Sequence, residues 1–236
     1  MKVSIVVPAF NEEERIAETL QGLIAQSYPN KEIIVVDNNS SDNTNSIAKK
    51  YTDRVISETE KGYIPAVNRG AKEADGELIT FCDADTRYPA QWLSQIVETF
   101  QSCPKAVAVY GGADTYDANA LSNWFNGVCY TSFLRLSRVL GLDNTSGFNF
   151  VMKREILLAV GGYIPEFKQI SPDIELGKRV KKAGKIVFKP QIKASSSFRR
   201  YQDNGVVDTQ WMFLKSWWSM LRGKAPNIDY ETYNSR

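Results

Sequence analysis

The chain has 236 residues, 43% hydrophobic and 24% charged, the balance of an ordinary globular protein with enough sequence for one sizeable core. A formal net charge of +2 gives no strong general attraction to polyanions, so nucleic acid is not an expected partner. Histidine is absent, which removes His-based triads, His general bases and His-containing zinc sites, and leaves oxygen ligands for any metal: Mg²⁺, Mn²⁺ or Ca²⁺.

Cys82, Cys103 and Cys129 are widely spaced and odd in number, which fits a reducing, cytoplasmic compartment without a disulfide framework. No apolar run approaches the roughly 20 residues of a spanning helix. The short apolar run at the start is stopped by Pro8 and reads as a first strand, not a signal peptide.

Residues 3–7 form that strand. Asn11 is expected to cap the following helix, with Glu12, Glu13 and Glu14 in its first turn and Glu14 in the capping-box place. Ile16, Leu20, Leu23 and Ile24 repeat at helical spacing, so one face packs on a sheet. A continuous apolar strand follows at 33–36 and ends in Asp37. Continuous apolarity implies strands covered on both faces, as in a parallel sheet. Residues 38–44 are turn and cap types, a short helix runs through Ile47 and Ala48, and Val55 and Ile56 make a brief strand. Pro65 is expected to open the next helix and Gly76 to close it. The alternation of strand and helix indicates a doubly wound α/β half.

The fourth apolar run, 78–82, ends abruptly in Asp83-Ala84-Asp85. Open α/β sheets bind ligands beyond the carboxyl ends of their strands. Two carboxylates so close repel one another unless a cation sits beside them, and a divalent metal carrying a phosphate is the obvious one. The competing reading is a pair of solvated loop residues. The glycine-rich dinucleotide fingerprint and the Gly-Lys-Ser/Thr phosphate loop are both absent, so a diphosphate would have to be gripped another way.

Four ordered segments now carry a resemblance: 4–12 with Pro8-Ala9-Phe10-Asn11-Glu12, then 33–44 with Asp37-Asn38-Asn39, then Asn68-Arg69-Gly70, then Asp83-Ala84-Asp85. Together they resemble glycosyltransferase family two. The resemblance implies a GT-A fold: a Rossmann-like, mixed but mostly parallel α/β sheet flanked by helices, in a single domain. It also implies a nucleoside-diphosphate-sugar donor. On that basis Pro8, Ala9, Phe10 and Glu12 would line the nucleotide pocket, and Asp37 would meet the base or ribose. Lys61 and Asn68 would flank the nucleotide, and Asp83 and Ala84 would contact the donor. Asp85 would be the ligand of Mn²⁺ or Mg²⁺. Turn and cap chemistry is the competing role for Asp37, Asn38 and Asp42, and a solvated loop charge for Lys61.

Beyond a helix around Ile96, Val97 and Phe100, a strand is expected at 106–110. The stretch 118–140 has an apolar and aromatic stripe that fits one or two helices over the core or an acceptor groove. Residues 146–155 and Val160-Gly161-Gly162-Tyr163 resemble the family's acceptor-side pattern, with the two glycines read as a positive-φ turn after a helix. Family members commonly have Glu-Asp where this chain has Pro172-Asp173. The aspartate is the position of the catalytic base in inverting members. An acceptor hydroxyl needs such a carboxylate within hydrogen-bond reach. Ser171 as N-cap and Pro172 at the first position would make Asp173 a complement to the helix dipole instead.

A late strand is expected at 186–188. After it, Arg199 or Arg200 could neutralise the leaving diphosphate, surface ion pairing being the competing role. No Gln-x-x-Arg-Trp follows, which favours single-sugar transfer over processive synthesis. Trp211, Trp217 and Trp218 lie near one face of a basic helix. That face either docks on the domain, the favoured reading, or lies on a membrane.

The expected organisation is a nucleotide-sugar-binding half, 1–110, an acceptor-binding and catalytic half, 111–205, and an amphipathic helix with a tail, 206–236. The expected function is an inverting, metal-dependent transfer of one sugar from a nucleoside-diphosphate sugar. A UDP-sugar is the first guess, with a sugar or polyprenyl-linked acceptor. The expected place is the cytoplasm, at the inner face of the membrane if the last helix touches it. A non-catalytic nucleotide-sugar-binding module and a nucleotidyltransferase are the alternatives.

Overall fold

A computed structural model describes residues 1–117, 120–165, 172–197 and 206–222, with the side chains of the long central helix described from Gly127 onward. The first half alternates as β1 (Val3–Ala9), α1 (Ile16–Ile24), β2 (Lys31–Asp37), α2 (Thr44–Ala48), β3 (Val55–Ser57), α3 (Tyr63–Glu73) and β4 (Leu78–Phe81). The second half adds β5 (Thr86–Arg87), α4 (Trp92–Ser102), β6 (Ala106–Thr115), α5 (Ala120–Val139), β7 (Phe150–Lys153), α6 (Arg154–Ala159), α7 (Pro172–Ala183), β8 (Lys185–Ser196) and α8 (Val206–Leu221).

All the strands join one sheet in the order β3-β2-β1-β4-β7-β6-β8-β5. β1, β2, β3 and β4 are parallel, β7 runs antiparallel to both β4 and β6, and β6 and β8 are again parallel. The sheet is therefore mixed and mostly parallel, flanked by helices, as the resemblance implied.

Successive strand residues point to opposite faces, and both faces are apolar. Val3, Ile5, Val7 and Val35 pack with α1 and α4 through Leu20, Leu23, Trp92 and Ile96. Val6, Ile34, Val36 and Phe81 pack on the other face with Val67 of α3, Leu157 of α6 and Leu176 of α7. Burial on two sides is why these strands are continuous apolar runs rather than alternating ones.

Three expectations are corrected. Asn11 does not cap α1: the helix begins at Ile16 with Arg15 in the cap position, and Asn11 has φ of 52°. Its side chain and those of its neighbours bond the β2–α2 loop instead. Asn11 Oδ1 accepts from the Ser41 N–H at 2.9 Å, and Glu13 Oε2 accepts from the Asn43 N–H at 3.0 Å. A tertiary partner has replaced the local cap. Pro65 is the third residue of α3, not the first, and Gly76 lies beyond its end. The late strands are longer than expected, to Thr115 and Ser196, because each finds a partner in the other across an irregularity at Gly111/Gly112.

Other expectations hold. Residues 120–139 form one helix, and Gly161 and Gly162 follow α6 with φ of 84° and 68°. Ser171, Arg199, Arg200 and the tail from Pro226 lie outside the described residues.

Candidate active site

β1 and β4 are adjacent and parallel, so the loops after Ala9 and Phe81 leave the same edge of the sheet. The loop after β4 carries Asp83-Ala84-Asp85. Ala84 is buried against the core, while the aspartates on either side are half-buried. The peptide between them is anchored by Thr19 of α1, whose Oγ1 donates to the Ala84 carbonyl at 2.8 Å. β5 then pairs with the end of β8, Thr86 opposite Ser196. The loop is thus tied at its centre and at its exit.

Tyr88 is buried and feels the charges of both aspartates. Burial raises its phenol well above the usual tyrosine range, and the charges of Asp83 and Asp85 add to this. The hydroxyl stays protonated and donates to the Phe148 carbonyl at 3.0 Å. That carbonyl belongs to the turn Gly147–Asn149, which enters β7. Asn149 is fixed in turn: it accepts from Trp92 Nε1 at 2.9 Å and donates to the carbonyls of Gly112 and Ile192 at 2.7 and 2.9 Å.

The same turn reaches Asp173, in the first turn of α7, through the Gly147 N–H. Its main chain is held by Thr145, whose Oγ1 donates to the Asp173 carbonyl at 2.6 Å. Its Oδ1 accepts from the Tyr163 hydroxyl at 2.7 Å. Burial pushes its carboxyl up to about 6, against the hydrogen bonds from Tyr163 and the Gly147 N–H, which pull the other way. A carboxylate that titrates near neutrality is suited to take a proton.

The nucleotide-side residues take several positions. Ala9 and Asp37 are register partners at the ends of β1 and β2. Asp37 is buried and accepts from Asn45 Nδ2 at 3.0 Å and from the Ser40 N–H at 3.3 Å. Pro8 is half-buried, Phe10 is exposed, and the Glu12 N–H donates to Thr44 Oγ1 at 2.8 Å. Asn38 holds the segment containing Lys61, accepting from the Gly62 N–H at 2.8 Å and donating to the Glu60 carbonyl at 2.7 Å. Lys61 itself is exposed. Asp42 makes turn bonds, accepting from the Thr44 N–H at 2.9 Å.

Asn68 is engaged within the fold. Its amide clasps the main chain of Tyr163, donating to the carbonyl at 2.7 Å and accepting from the N–H at 3.0 Å. A groove of about 210 Å³ beside α3, lined by Glu58, Glu60, Ile64, Asn68, Arg69 and Lys72 among others, contains neither Asp85 nor Asp173.

For a metal, the protein offers carboxylate oxygens from Asp83 and Asp85. Among the described residues no group of three or more acidic or cysteine side chains could encage an ion. Two hard donors in an open loop suit a divalent cation that completes its shell from phosphate and water.

Sequence reasoning missed Thr19, Tyr63, Tyr88 and Asn149. Tyr63 and Tyr88 carry no pattern of their own. Asn149 lay inside a noted segment, but its role needs three distant partners. The Trp-bearing helix divides its tryptophans. Trp217 docks on α5, donating to Ser137 Oγ at 2.8 Å and meeting Phe133 edge to face, whereas Trp211 and Trp218 are 58% and 52% exposed. Among the described residues no helix is long and apolar enough to cross a membrane.

The sequence pattern named Glycosyl transferase family 2 matches residues 4–161. The chain is 32% identical over 180 residues to a dolichol-phosphate mannosyltransferase of Pyrococcus furiosus, covering 68% of this chain and 48% of that protein. It is 31% identical over 200 residues to the probable glycosyltransferase YdaM of Bacillus subtilis, covering 78% of this chain and 47% of that protein. The chain thus spans about half the length of these curated relatives. Its fold is similar to that of a mannosyltransferase of Pyrobaculum calidifontis solved with GDP-Man and Mn²⁺, with a TM-score of 0.66 and 22% identity over 87% of this chain and 62% of that one. With more than half of its length matched and a relative 32% identical over 68% of the chain, the chain belongs to glycosyl transferase family 2.

Proposed function

We propose that the chain is an inverting, metal-assisted glycosyltransferase that moves one sugar from a nucleoside-diphosphate sugar to an acceptor hydroxyl. The observation that carries this reading is the Gly147–Asn149 turn, whose Gly147 N–H bonds Asp173 and whose Phe148 carbonyl accepts from Tyr88, the phenol that feels the charges of Asp83 and Asp85. The division of labour follows. Residues 1–110 grip the donor, with Pro8, Ala9, Phe10, Glu12 and Asp37 around the nucleotide. Residues 111–205 supply the acceptor side and the base.

Asp85, helped by Asp83, would hold the divalent ion, Mn²⁺ or Mg²⁺, and bound there the ion would offset charge on the departing diphosphate. Asp173 takes the proton of the acceptor hydroxyl as its oxygen bonds to the anomeric carbon. The anomeric carbon–oxygen bond to the diphosphate breaks, and the nucleoside diphosphate leaves with that electron pair. A UDP-sugar is the first donor to try and GDP-mannose, held by the Pyrobaculum enzyme, the second. Transfer of a single sugar is supported by the lack of Gln-x-x-Arg-Trp in the sequence.

A lipid-linked acceptor fits one further observation. Trp211, Leu214 and Trp218 are exposed on α8, with Lys215 and Arg222 over the tryptophan rings. Rings flanked by cations suit the interface of an anionic, cytoplasm-facing lipid surface.

The test is a product assay across donors with and without Mn²⁺. Release of nucleoside diphosphate with a glycosylated acceptor is expected, and it is lost in Asp173→Asn. Donor binding without any turnover would leave a non-catalytic module, and release of pyrophosphate would point to a nucleotidyltransferase.

A further inference from the structure

Asp173 is preceded by Pro172, which brings no polar side chain to its carboxylate. Besides its own N–H, the hydrogen bonds come from Tyr163 and the Gly147 N–H. Tyr163 is 1% exposed, and its ring meets Phe81 at 5.3 Å and Tyr63 at 5.9 Å between centroids, both edge to face. Those contacts point its hydroxyl at Asp173 Oδ1, 2.7 Å away. Tyr63 also hydrogen-bonds the Tyr163 hydroxyl.

The main chain of Tyr163 is equally fixed. The Asn68 amide bonds both its N–H and its carbonyl. Gly162, at φ of 68°, lets the amide approach: a Cβ there would stand 2.9 Å from Asn68 Oδ1. Gly147 closes the other side. A Cβ on it would lie 2.6 Å from Asp173 Oδ1 and 2.9 Å from the Tyr63 hydroxyl.

We propose that Tyr163, backed by Tyr63 and carried on Asn68, is a positioning residue for Asp173, fixing Oδ1 so that Oδ2 faces the acceptor hydroxyl. The proposal rests on the reading of Asp173 as the base. Asn68 then belongs to the acceptor-side machinery. A carboxylate held by one oxygen is preorganised for proton removal, whereas a freely rotating one must be oriented in each turnover.

The test compares the full chain with Tyr163→Phe and Tyr63→Phe, both of which keep the rings. The donor is whichever nucleoside-diphosphate sugar the wild type turns over. In Tyr163→Phe, kcat should fall by about tenfold to a hundredfold with donor KM within about twofold. The acid limb of the kcat profile should move to higher pH, because the carboxylate has lost a hydrogen bond that favours its charged form. Tyr63→Phe should shift both in the same direction by less, and it keeps the test informative if Tyr163→Phe is poorly folded by circular dichroism. Wild-type kcat and an unmoved acid limb in the folded variants would overturn the proposal while leaving the transferase reading intact. Absence of transfer by the wild type with every donor tried would overturn both.

Discussion

Thr19 of α1 donates a 2.8 Å hydrogen bond to the carbonyl of Ala84, the residue between the two aspartates, and both partners are buried. A helix from the first crossover thereby sets the height of the loop proposed to hold the metal. Thr19→Val keeps the shape and removes the donor, leaving a buried carbonyl unsatisfied at a cost of about 1–3 kcal/mol. We expect a lower melting temperature together with weaker Mn²⁺-dependent binding of nucleoside diphosphate, and recovery of both in Thr19→Ser. Calorimetric titration of Mn²⁺ and nucleoside diphosphate against the three proteins decides it; unchanged affinity in Thr19→Val would show that the loop holds its height without this bond.

Asp85→Ala should remove the metal dependence of turnover, with activity falling by about a hundredfold or more and no recovery in excess Mn²⁺. Asp83→Ala should weaken donor binding more than metal binding. Chelation of the wild type should reproduce the Asp85→Ala activity. Equal metal dependence in all three proteins would argue against a metal role for this loop.

Asp173 links activity to stability through pH. Burial lifts its carboxyl to about 6, above the 3.8 of an ordinary aspartate. The folded chain therefore holds this proton more tightly than the unfolded chain. The associated stability is complete below pH ~4 and is lost as pH rises through ~6. Asp173→Asn keeps an oxygen to accept from Tyr163 and has no charge to bury. It should be more stable than wild type by up to roughly 2–3 kcal/mol at pH 7.5, and the gain should vanish near pH 4. Denaturant unfolding at the two pH values measures this; a loss of stability at pH 7.5 would contradict it. The wild-type transfer rate should show an acid limb near pH 6.

Glu32 behaves oppositely, at the far edge of the sheet from the candidate site. Burial opposes its charge, but bonds from Ser4, the Asp75 N–H and Lys2 outweigh this and hold its carboxyl down to about 2. Arg54 pairs with it as well. Its contribution is present above the unfolded value near 4.5 and is lost as pH falls toward 2. Glu32→Gln should cost about 1–3 kcal/mol at pH 7 and flatten the acid side of the stability curve. Transfer kinetics should not change, and a large kinetic effect would mean that this edge communicates with the site.

Trp218→Ser should weaken partition of the chain into anionic phospholipid vesicles by roughly tenfold, with little change in melting temperature, because the ring contributes apolar area to lipid and little to the fold. Trp217→Ser should instead lower the melting temperature, since Trp217 packs on Phe133 and bonds Ser137. No vesicle binding by the wild type in low salt would remove the membrane contact.

The strands of the first half were legible because double-sided burial writes a continuous apolar run, and their alternation with helices pointed to a doubly wound half, but their order in the sheet was not written in the pattern. The aspartates of the β4 loop were legible because an apolar strand ends on them. Helix starts were less so. Asn11 and Glu14 made a plausible local cap, but the β2–α2 loop offered partners that a local pattern cannot reveal. Asn68 stood out in its motif, yet its partner is Tyr163, 95 residues on. Nothing in the spacing of Tyr88, Phe148 and Asn149 foretells their contacts, which depend on the order in which strands enter the sheet.

That order has a consequence for how such chains diverge. β6 is parallel to β4 in direction and β7 antiparallel to both, so the excursion 116–149 leaves and re-enters at one edge of the sheet. Its length is decoupled from strand register. Insertions or deletions upstream of Thr145 could reshape the surface proposed to meet an acceptor while Asp83, Asp85 and their support from Thr19 stay where they are. A single reversed strand would thus let the proposed acceptor side vary independently of the loop proposed to hold the metal.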